Sequence, residues 1–258
     1  MVVSDMDGTL LDHVGQVSPR NAKALLRARD AGARVVIATG RPIWWLGPVI
    51  EAGFDGIAVC MNGAVVYDVA AGEVVAASLM QAVPMREFVV ELEQFDPALR
   101  VAVERIGEQV SACWAEPGYE HPWAEGIFQR APRETLLAEP AAKLLVRSGT
   151  DSADLARHAR HAAGARLAVT FSSDDGLIEI AAAGVNKGST LARLATEWGI
   201  DPAEVIAFGD MPNDLEMLTW AGHGVAMANG HTEVHAVANE IVGWHHEDAV
   251  ADVLERWF

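Results

Sequence analysis

Short runs of consecutive apolar residues, separated by helix-like segments, constrain the fold of this 258-residue chain more than any other feature. Continuous apolar runs of this length are typical of strands buried on both faces, as in a parallel sheet covered by helices. Their alternation with helical segments predicts βαβ crossovers and an α/β fold. The runs that we assign to this sheet lie at residues 2–4, 34–38, 56–60, 204–208 and 224–227.

The alternation of strands and helices stops in the middle of the chain. Asn62-Gly63 predicts a hairpin turn with a return strand at 64–67, and the pattern changes near residue 73. The next hundred residues combine helical stretches with candidate strands, including an antiparallel pair at 99–105 and 109–114. The α/β rhythm resumes at Lys187. We therefore expect two domains: an α/β core formed by residues 1–79 and 186–258, and an inserted α+β domain at 80–185.

Charge and cysteine content exclude several classes of partner. Acidic residues outnumber basic ones by 36 to 19, and a net charge of −17 disfavours nucleic acid and anionic membranes. No apolar run approaches the ~20 residues that cross a bilayer. Cys60 and Cys113 are the two cysteines, which rules out a disulfide framework and fits a reducing compartment. We expect a cytoplasmic protein that binds neither nucleic acid nor membrane.

Polar residues follow three of the predicted strands, at the point where each strand ends. The stretch DMDGTLL places Asp5 and Asp7 after the first strand, while Thr39 and Asp210 follow two others. In an open parallel sheet, ligands bind outside the carboxyl ends of the strands. Two carboxylates one residue apart repel each other unless a cation lies between them. These strand ends therefore predict a ligand site with a bound cation.

The residue types at these positions suit phosphoryl transfer. Carboxylate oxygens select a hard cation such as Mg²⁺, and Lys187 at a helix start adds a positive charge for a phosphoryl oxygen. The Thr39 hydroxyl and the Gly40 amide supply hydrogen-bond donors to other phosphoryl oxygens. A carboxylate such as Asp5 can act as nucleophile, and Asp7 can exchange a proton with the leaving group.

Four motifs in this order resemble those of the haloacid dehalogenase-like superfamily. They are Asp5-Met6-Asp7-Gly8-Thr9, Thr39-Gly40-Arg41, Lys187, and Gly209-Asp210-Met211-Pro212-Asn213-Asp214. The insert, together with Met61-Asn62-Gly63-Ala64 and Asn186-Lys187-Gly188, looks like the Cof-type branch, subclass IIB, which carries a C2 cap. The resemblance implies a Rossmann-like, doubly wound parallel sheet with an inserted α+β cap that sets substrate specificity.

The resemblance also implies a role for each motif residue. Asp5 would form an aspartyl-phosphate, and Asp7 would act first as general acid and then as general base. Mg²⁺ would be held by Asp5, the backbone carbonyl of Asp7 and Asp210. The phosphate would be bound by Thr39, Gly40, Lys187 and Asn213, with Asp214 and Arg41 as supporting residues. The implied function is a phosphatase for small phosphorylated metabolites, sugar phosphates above all, that acts as a monomer or homodimer.

Two other functions share these motifs: a phosphomutase, and a non-catalytic regulator that binds a phosphorylated metabolite. The intact Asp5, Asp7, Lys187 and Asp210 favour an enzyme over the regulator.

Arg41 could reach a substrate phosphate or pair with an acid.

For several further residues, the sequence allows either a functional or a structural role. In the insert, these are the candidates for contact with sugar hydroxyls: Trp114, Glu116, Tyr119, His121 and Trp123. His231 and His235 have the spacing of metal ligands on a helix, but surface histidines are the favoured interpretation because no third ligand is evident.

Overall fold

The computed structural model describes residues 1–106, 112–120 and 128–258. These residues form two compact units. Unit 1 comprises Met1–Ala76 and Asn186–Phe258, and unit 2 comprises Ala77–Val185. The sequence places the corresponding boundaries at 79/80 and 185/186. Within the described ranges, no helix has the length and the hydropathy that a membrane crossing needs.

The strands are short, as expected for an α/β protein. In chain order, those of the described residues are β1 Val2–Ser4, β2 Val35–Ala38, β3 Ile57–Cys60, β4 Val65–Asp68, β5 Glu73–Ala77, β6 Arg100–Glu104, β7 Cys113–Ala115, β8 Gln129–Arg130, β9 Lys143–Arg147, β10 Leu167–Thr170, β11 Leu177–Ala182, β12 Ile206–Gly209, β13 His223–Ala226 and β14 Glu240–Ile241.

Helices lie between the strands in both units. They are α1 Pro19–Asp30, α2 Gly47–Glu51, α3 Ala82–Glu93, α4 Arg133–Leu136, α5 Ser152–Ala163, α6 Lys187–Trp198, α7 Leu215–Trp220, α8 Thr232–Val237 and α9 Ala249–Leu254. Helix α1 begins at Pro19, because the Ser18 hydroxyl accepts the Asn21 N–H and proline suits the first helical position.

The sheet of unit 1 has the strand order β14-β13-β12-β1-β2-β3-β4-β5. Strand β1 lies in its middle and pairs in parallel with β12 on one side and β2 on the other. Pairing is also parallel from β12 through β14 and between β2 and β3, whereas β4 returns antiparallel to β3. This topology confirms the predicted α/β fold with a parallel sheet. The carboxyl ends of β1, β2 and β12 lie side by side.

The core of unit 1 is built by alternate strand residues packed against helices. Val3, Val36 and Ala207 are almost fully buried and form a cluster with Leu191 and Leu194 of α6. Burial of each such side chain contributes roughly 1.5–3 kcal/mol to the free energy of folding. Because these side chains fix the registers of the strands, they also fix where each strand ends.

Unit 2 contains a six-stranded sheet of order β10-β11-β9-β6-β7-β8. The predicted antiparallel pair is confirmed for the described residues, with Glu104 opposite Cys113 in β6 and β7. Residues 109–111 of the second predicted strand lie outside the described residues. Strand β8 and helix α4 were not predicted, because the segment that contains them is rich in proline and glutamate and has weak periodicity.

Candidate active site

Two aspartates meet at the carboxyl ends of the central strands. Asp5 follows β1, and its N–H donates to the Phe208 carbonyl of β12 over 3.0 Å. Asp210 follows β12 directly, and both aspartates are only 5% exposed. Thr39 follows β2, fully buried, and its N–H donates to the Val59 carbonyl of β3 over 2.8 Å. The parallel register thus brings the three predicted strand-end residues to one edge of the sheet.

The loop after β1 turns sharply around Gly8, which has a φ of +72°. A Cβ at this position would clash with the Asp210 carboxylate, so both the backbone conformation and the available space require glycine. The next residue, Thr9, donates its hydroxyl hydrogen to Asp210 Oδ1 over 2.8 Å. Gly8 and Thr9 therefore place the Asp210 carboxylate against the loop that carries Asp5.

Lys187 connects the two loops. It opens α6 directly after Asn186, whose side chain caps the helix by accepting the Ser189 N–H. The Lys187 ammonium is fully buried and lies 2.7 Å from both Asp5 Oδ1 and Asp214 Oδ1. Burial alone would lower the pKa of Lys187, but the two carboxylates outweigh it and raise that pKa. The lysine therefore carries a positive charge at neutral pH.

Asp214 is a positioning group in this geometry. One of its oxygens accepts from Lys187, and the other accepts the N–H groups of Asp210 and Met211 over 3.0 and 3.1 Å. Asp214 is fully buried, so these bonds are shielded from water. It orients Lys187 and at the same time holds the turn that presents Asp210.

The site holds more negative than positive charge. Burial raises the pKa of Asp5 to about 7, and repulsion from Asp214 and Asp7 adds to this, whereas Lys187 lowers the pKa. Burial, followed by repulsion from Asp5 and Asp214, raises the pKa of Asp210 well above its usual value. One ammonium does not compensate three ionised carboxylates in a buried site, which is why these pKa values rise; a bound cation would stabilise the ionised forms.

These carboxylates fit a divalent cation. Oxygen atoms of Asp5, Asp210 and Asp214 all lie within 4.8 Å of one another, and theirs is the one such group of acidic, histidine or cysteine side chains among the described residues. Hard carboxylate oxygens are the ligands that Mg²⁺ prefers. The residues present therefore fit the expected metal. His231 and His235 form no such group: His231 Nδ1 accepts the Glu233 N–H, and His235 Nε2 lies 2.9 Å from the Met227 carbonyl oxygen.

Arg41 contacts the second acid of the first motif. Its Nε and Nη2 lie 2.7 and 2.6 Å from the two oxygens of Asp7, and its Nη1 donates to the Trp45 carbonyl. The Asp7 side chain is 59% exposed, in contrast to buried Asp5. The Thr39 hydroxyl accepts the Arg41 N–H over 3.0 Å, which ties this arginine to the end of β2. Of the two predicted roles for Arg41, the structure shows the ion pair with an acid.

Three polar residues make contacts that the sequence did not assign. Besides Thr9, these are Asn62, whose Oδ1 accepts the Asn213 side-chain N–H over 3.0 Å, and Asn229, whose Nδ2 donates to the Gly8 carbonyl over 2.8 Å. Asn213 itself is only 5% exposed, and Gly40 continues the loop that begins at Thr39. Asn62 and Asn229 each follow the end of a strand, the same signal that identified Asp5.

The insert residues expected near the substrate are placed only in part. Glu116 accepts the Val101 N–H and pairs with Arg133, and Tyr119 packs edge-on against Phe128 inside unit 2. Both contacts stabilise the insert itself. His121 and Trp123 lie outside the described residues, and their roles stay predictions.

Curated relatives cover nearly the whole chain. A pyridoxal phosphate phosphatase of Escherichia coli is 30% identical over 98% of this chain and 97% of its own length. A chloroplastic endoribonuclease YBEY of Arabidopsis thaliana is 33% identical over 99% of this chain, which spans 46% of that protein.

Solved structures share the fold. A Streptococcus mutans protein has a TM-score of 0.86 at 24% identity and covers 99% of this chain and 97% of its own. The subclass IIB sugar phosphatase BT4131 has a TM-score of 0.83 at 19% identity, covering 99% and 98%. A family model for haloacid dehalogenase-like hydrolases matches residues 2–254. The chain belongs to the haloacid dehalogenase-like hydrolases, a family of enzymes; the Escherichia coli relative, matched over nearly its full length, is named a phosphatase.

Proposed function

We propose that this protein is a Mg²⁺-dependent phosphatase that hydrolyses small phosphomonoesters through an aspartyl-phosphate on Asp5. One observation carries the proposal: a buried carboxylate at the end of the central strand contacts Lys187 and lies within metal-binding reach of Asp210. A nucleophile, a fixed cation and a site for a divalent metal are the groups that phosphoryl transfer needs.

The metal would be held by Asp5, Asp210 and the backbone carbonyl of Asp7. Lys187 engages one oxygen of Asp5, and Thr9 engages one oxygen of Asp210, so each carboxylate has a second oxygen to offer. When bound, Mg²⁺ offsets the negative charge of the carboxylates and of the phosphoryl oxygens. Asp214 would act through Lys187 rather than as a ligand, since both of its oxygens accept hydrogen bonds.

In the first half-reaction, an oxygen of Asp5 attacks phosphorus while the bond from phosphorus to the leaving oxygen breaks. Asp7 donates a proton to that oxygen, so the product leaves as an alcohol. Lys187, the Thr39 hydroxyl, the Gly40 amide and the Asn213 carboxamide would hold the phosphoryl oxygens. The buried position of Lys187 keeps its charge unscreened by water.

In the second half-reaction, water attacks phosphorus and Asp7 takes the proton from that water. The bond between phosphorus and Asp5 breaks, which releases phosphate and restores the carboxylate. Arg41, whose Nε and Nη2 lie 2.7 and 2.6 Å from the two oxygens of Asp7, would hold this carboxylate in position for the proton transfer.

We propose that the substrates are small phosphorylated metabolites, with sugar phosphates first among them. A curated relative is named for pyridoxal phosphate, and BT4131 is called a sugar phosphatase. Pyridoxal phosphate and sugar phosphates are both phosphate esters of small polar molecules. We further propose a cytoplasmic enzyme that acts as a monomer or homodimer. The net charge of −17 disfavours nucleic acid and anionic membranes as partners, and two cysteines fit a reducing compartment.

The test is phosphate release from p-nitrophenyl phosphate and from a panel of phosphorylated metabolites, with Mg²⁺ and with EDTA. We expect turnover that depends on Mg²⁺ and stops with EDTA. Chromatography of the products separates hydrolysis from a phosphomutase, which would isomerise the substrate without releasing phosphate. Binding of substrate without any turnover would indicate the non-catalytic regulator.

A further inference from the structure

The turn after β3 has an unusual backbone conformation. Met61, Asn62 and Gly63 have φ values of 51°, 55° and 100°, so three consecutive residues lie in the left-handed region. Glycine adopts this region readily and asparagine tolerates it, but methionine does so at a steric cost. Such a turn persists only where its surroundings hold it in place.

One strand-end loop of the candidate active site and helix α6 hold this turn. The Met61 N–H donates to the Arg41 carbonyl over 3.0 Å, and the Asn62 N–H donates to the Thr39 carbonyl over 3.1 Å. On the other side, the Gly63 carbonyl accepts the Thr190 hydroxyl over 2.9 Å, one turn into α6. The turn thus lies between the loop that carries Thr39 and the helix that begins with Lys187.

The Asn62 side chain reaches the third element of the site. Its Oδ1 accepts the Asn213 side-chain N–H over 3.0 Å, and both side chains are at least nine-tenths buried. Asn213 Oδ1 has no hydrogen-bond partner among the described residues. The bond to Asn62 therefore fixes the rotation of the Asn213 amide. It uses one of the two hydrogens on Asn213 Nδ2, and the second would be left to donate to a phosphoryl oxygen.

We propose that Asn62 is a positioning residue for the phosphate-binding groups, acting through Asn213 and through the left-handed turn. This role rests on the proposed function. The turn sets the distance between Thr39 and the start of α6, while the Asn62 side chain fixes the rotation of the Asn213 amide. Asn62 itself does not contact the reacting atoms.

Three substitutions separate the two contributions. Asn62→Gly removes the side chain but permits the left-handed backbone. Asn62→Ala also removes the side chain and, in addition, disfavours the left-handed backbone. Asn213→Ala removes the group on which Asn62 acts. We expect Asn62→Gly to lower kcat/KM about tenfold, Asn62→Ala to lower it further, and the double variant Asn62→Gly/Asn213→Ala to match Asn213→Ala within about twofold. Asn239→Ala, which removes a remote asparagine that accepts the Gly224 N–H, is the control and should combine additively with Asn213→Ala.

A second measurement does not need turnover. Calorimetric titration with inorganic phosphate in the presence of Mg²⁺ should show the same non-additive pattern in Kd. If the wild-type protein binds phosphate but hydrolyses nothing, the proposed function fails and this titration still tests Asn62. Additive losses from Asn62→Gly and Asn213→Ala, in kcat/KM or in Kd, would overturn the positioning role, as would wild-type behaviour of Asn62→Gly.

Discussion

Both units of this protein bury a lysine between two carboxylates. In unit 1, Lys187 lies between Asp5 and Asp214; in unit 2, Lys143 lies 3.1 Å from Glu104 and 2.8 Å from Glu179. The chain has three lysines, so two of the three make this arrangement. The local chemistry is nearly the same, and a buried lysine with two acids is therefore not enough to identify an active site.

The difference lies in what surrounds each lysine. Glu104 and Lys143 are direct cross-strand partners in β6 and β9, and the second oxygen of Glu179 accepts the Ser172 hydroxyl. The described contacts of this lysine and its two glutamates thus lie within unit 2. In unit 1, the carboxylates follow strand ends, and a third acid, Asp210, adds charge that no described side chain neutralises. Excess charge at a strand end, rather than the ion pair itself, marks the site.

The largest expected effect follows from removing the nucleophile. Asp5→Asn keeps the shape of the side chain but loses the attacking carboxylate, so we expect kcat for p-nitrophenyl phosphate to fall by at least about 1,000-fold. The melting temperature should stay the same or rise, because a buried carboxylate is removed. Glu179→Gln is the matched control in unit 2 and should keep kcat within about threefold. Undiminished turnover in Asp5→Asn would refute the mechanism.

The second prediction concerns Lys143, whose replacement leaves two buried glutamates without a cation. We expect Lys143→Met to lower the free energy of unfolding by about 3–5 kcal/mol, measured by urea denaturation, with little change in kcat per folded molecule. A loss of turnover beyond the loss of folded protein would instead place the unit 2 cluster in substrate recognition.

The third prediction uses the pKa of Asp5, which burial raises from 3.8 to about 7. Between these pH values the folded protein holds a proton that the unfolded chain lacks, so the metal-free fold loses stability as the pH rises through this window. Mg²⁺ competes with that proton for Asp5 and compensates the charge of the carboxylate. The stabilisation of the fold by Mg²⁺ therefore grows with pH. Differential scanning fluorimetry should show a rise in melting temperature with Mg²⁺ that is several degrees larger at pH 8 than at pH 5.5. Equal rises at both pH values would argue against a metal at Asp5.

The smallest effect is expected for Glu104→Gln. Burial raises the pKa of Glu104, with repulsion from Glu179 adding to it and Lys143 opposing it, so its charge contributes little net stability. The uncharged amide should change the free energy of unfolding by less than about 1 kcal/mol. The free energies of unfolding of Glu104→Gln and Lys143→Met are compared by urea denaturation at pH 7. A loss as large as that of Lys143→Met would show that the negative charge of Glu104 stabilises the fold.

The sequence was sufficient wherever an apolar run ended in a polar residue. Asp5, Thr39 and Asp210 were placed correctly because buried strands have a strong pattern and parallel strands end at one edge. Lys187 was found because Asn186 and Gly188 mark a helix start. These are local signals that a single sequence carries.

The remaining contacts depend on residues far apart in the chain. Asn62-Gly63 predicted a hairpin turn, but the turn includes a left-handed Met61 that no local preference indicates. The pairing of Arg41 with Asp7, and of Asn62 with Asn213, joins different loops through side-chain geometry alone. In the insert, segments with weak periodicity gave no signal for β8 or α4.

The interruption of unit 1 by unit 2 has a consequence for synthesis on the ribosome. Strand β1 is made before its partner β12, so Val3 must wait until Ala207 has been made. The insert is continuous in the chain and can collapse while the first half of the core still lacks its second half. Because Lys187 and Asp210 follow the insert in the chain, Asp5 is assembled into its site only after the insert has been made, and a nascent chain stalled within the insert would lack both residues.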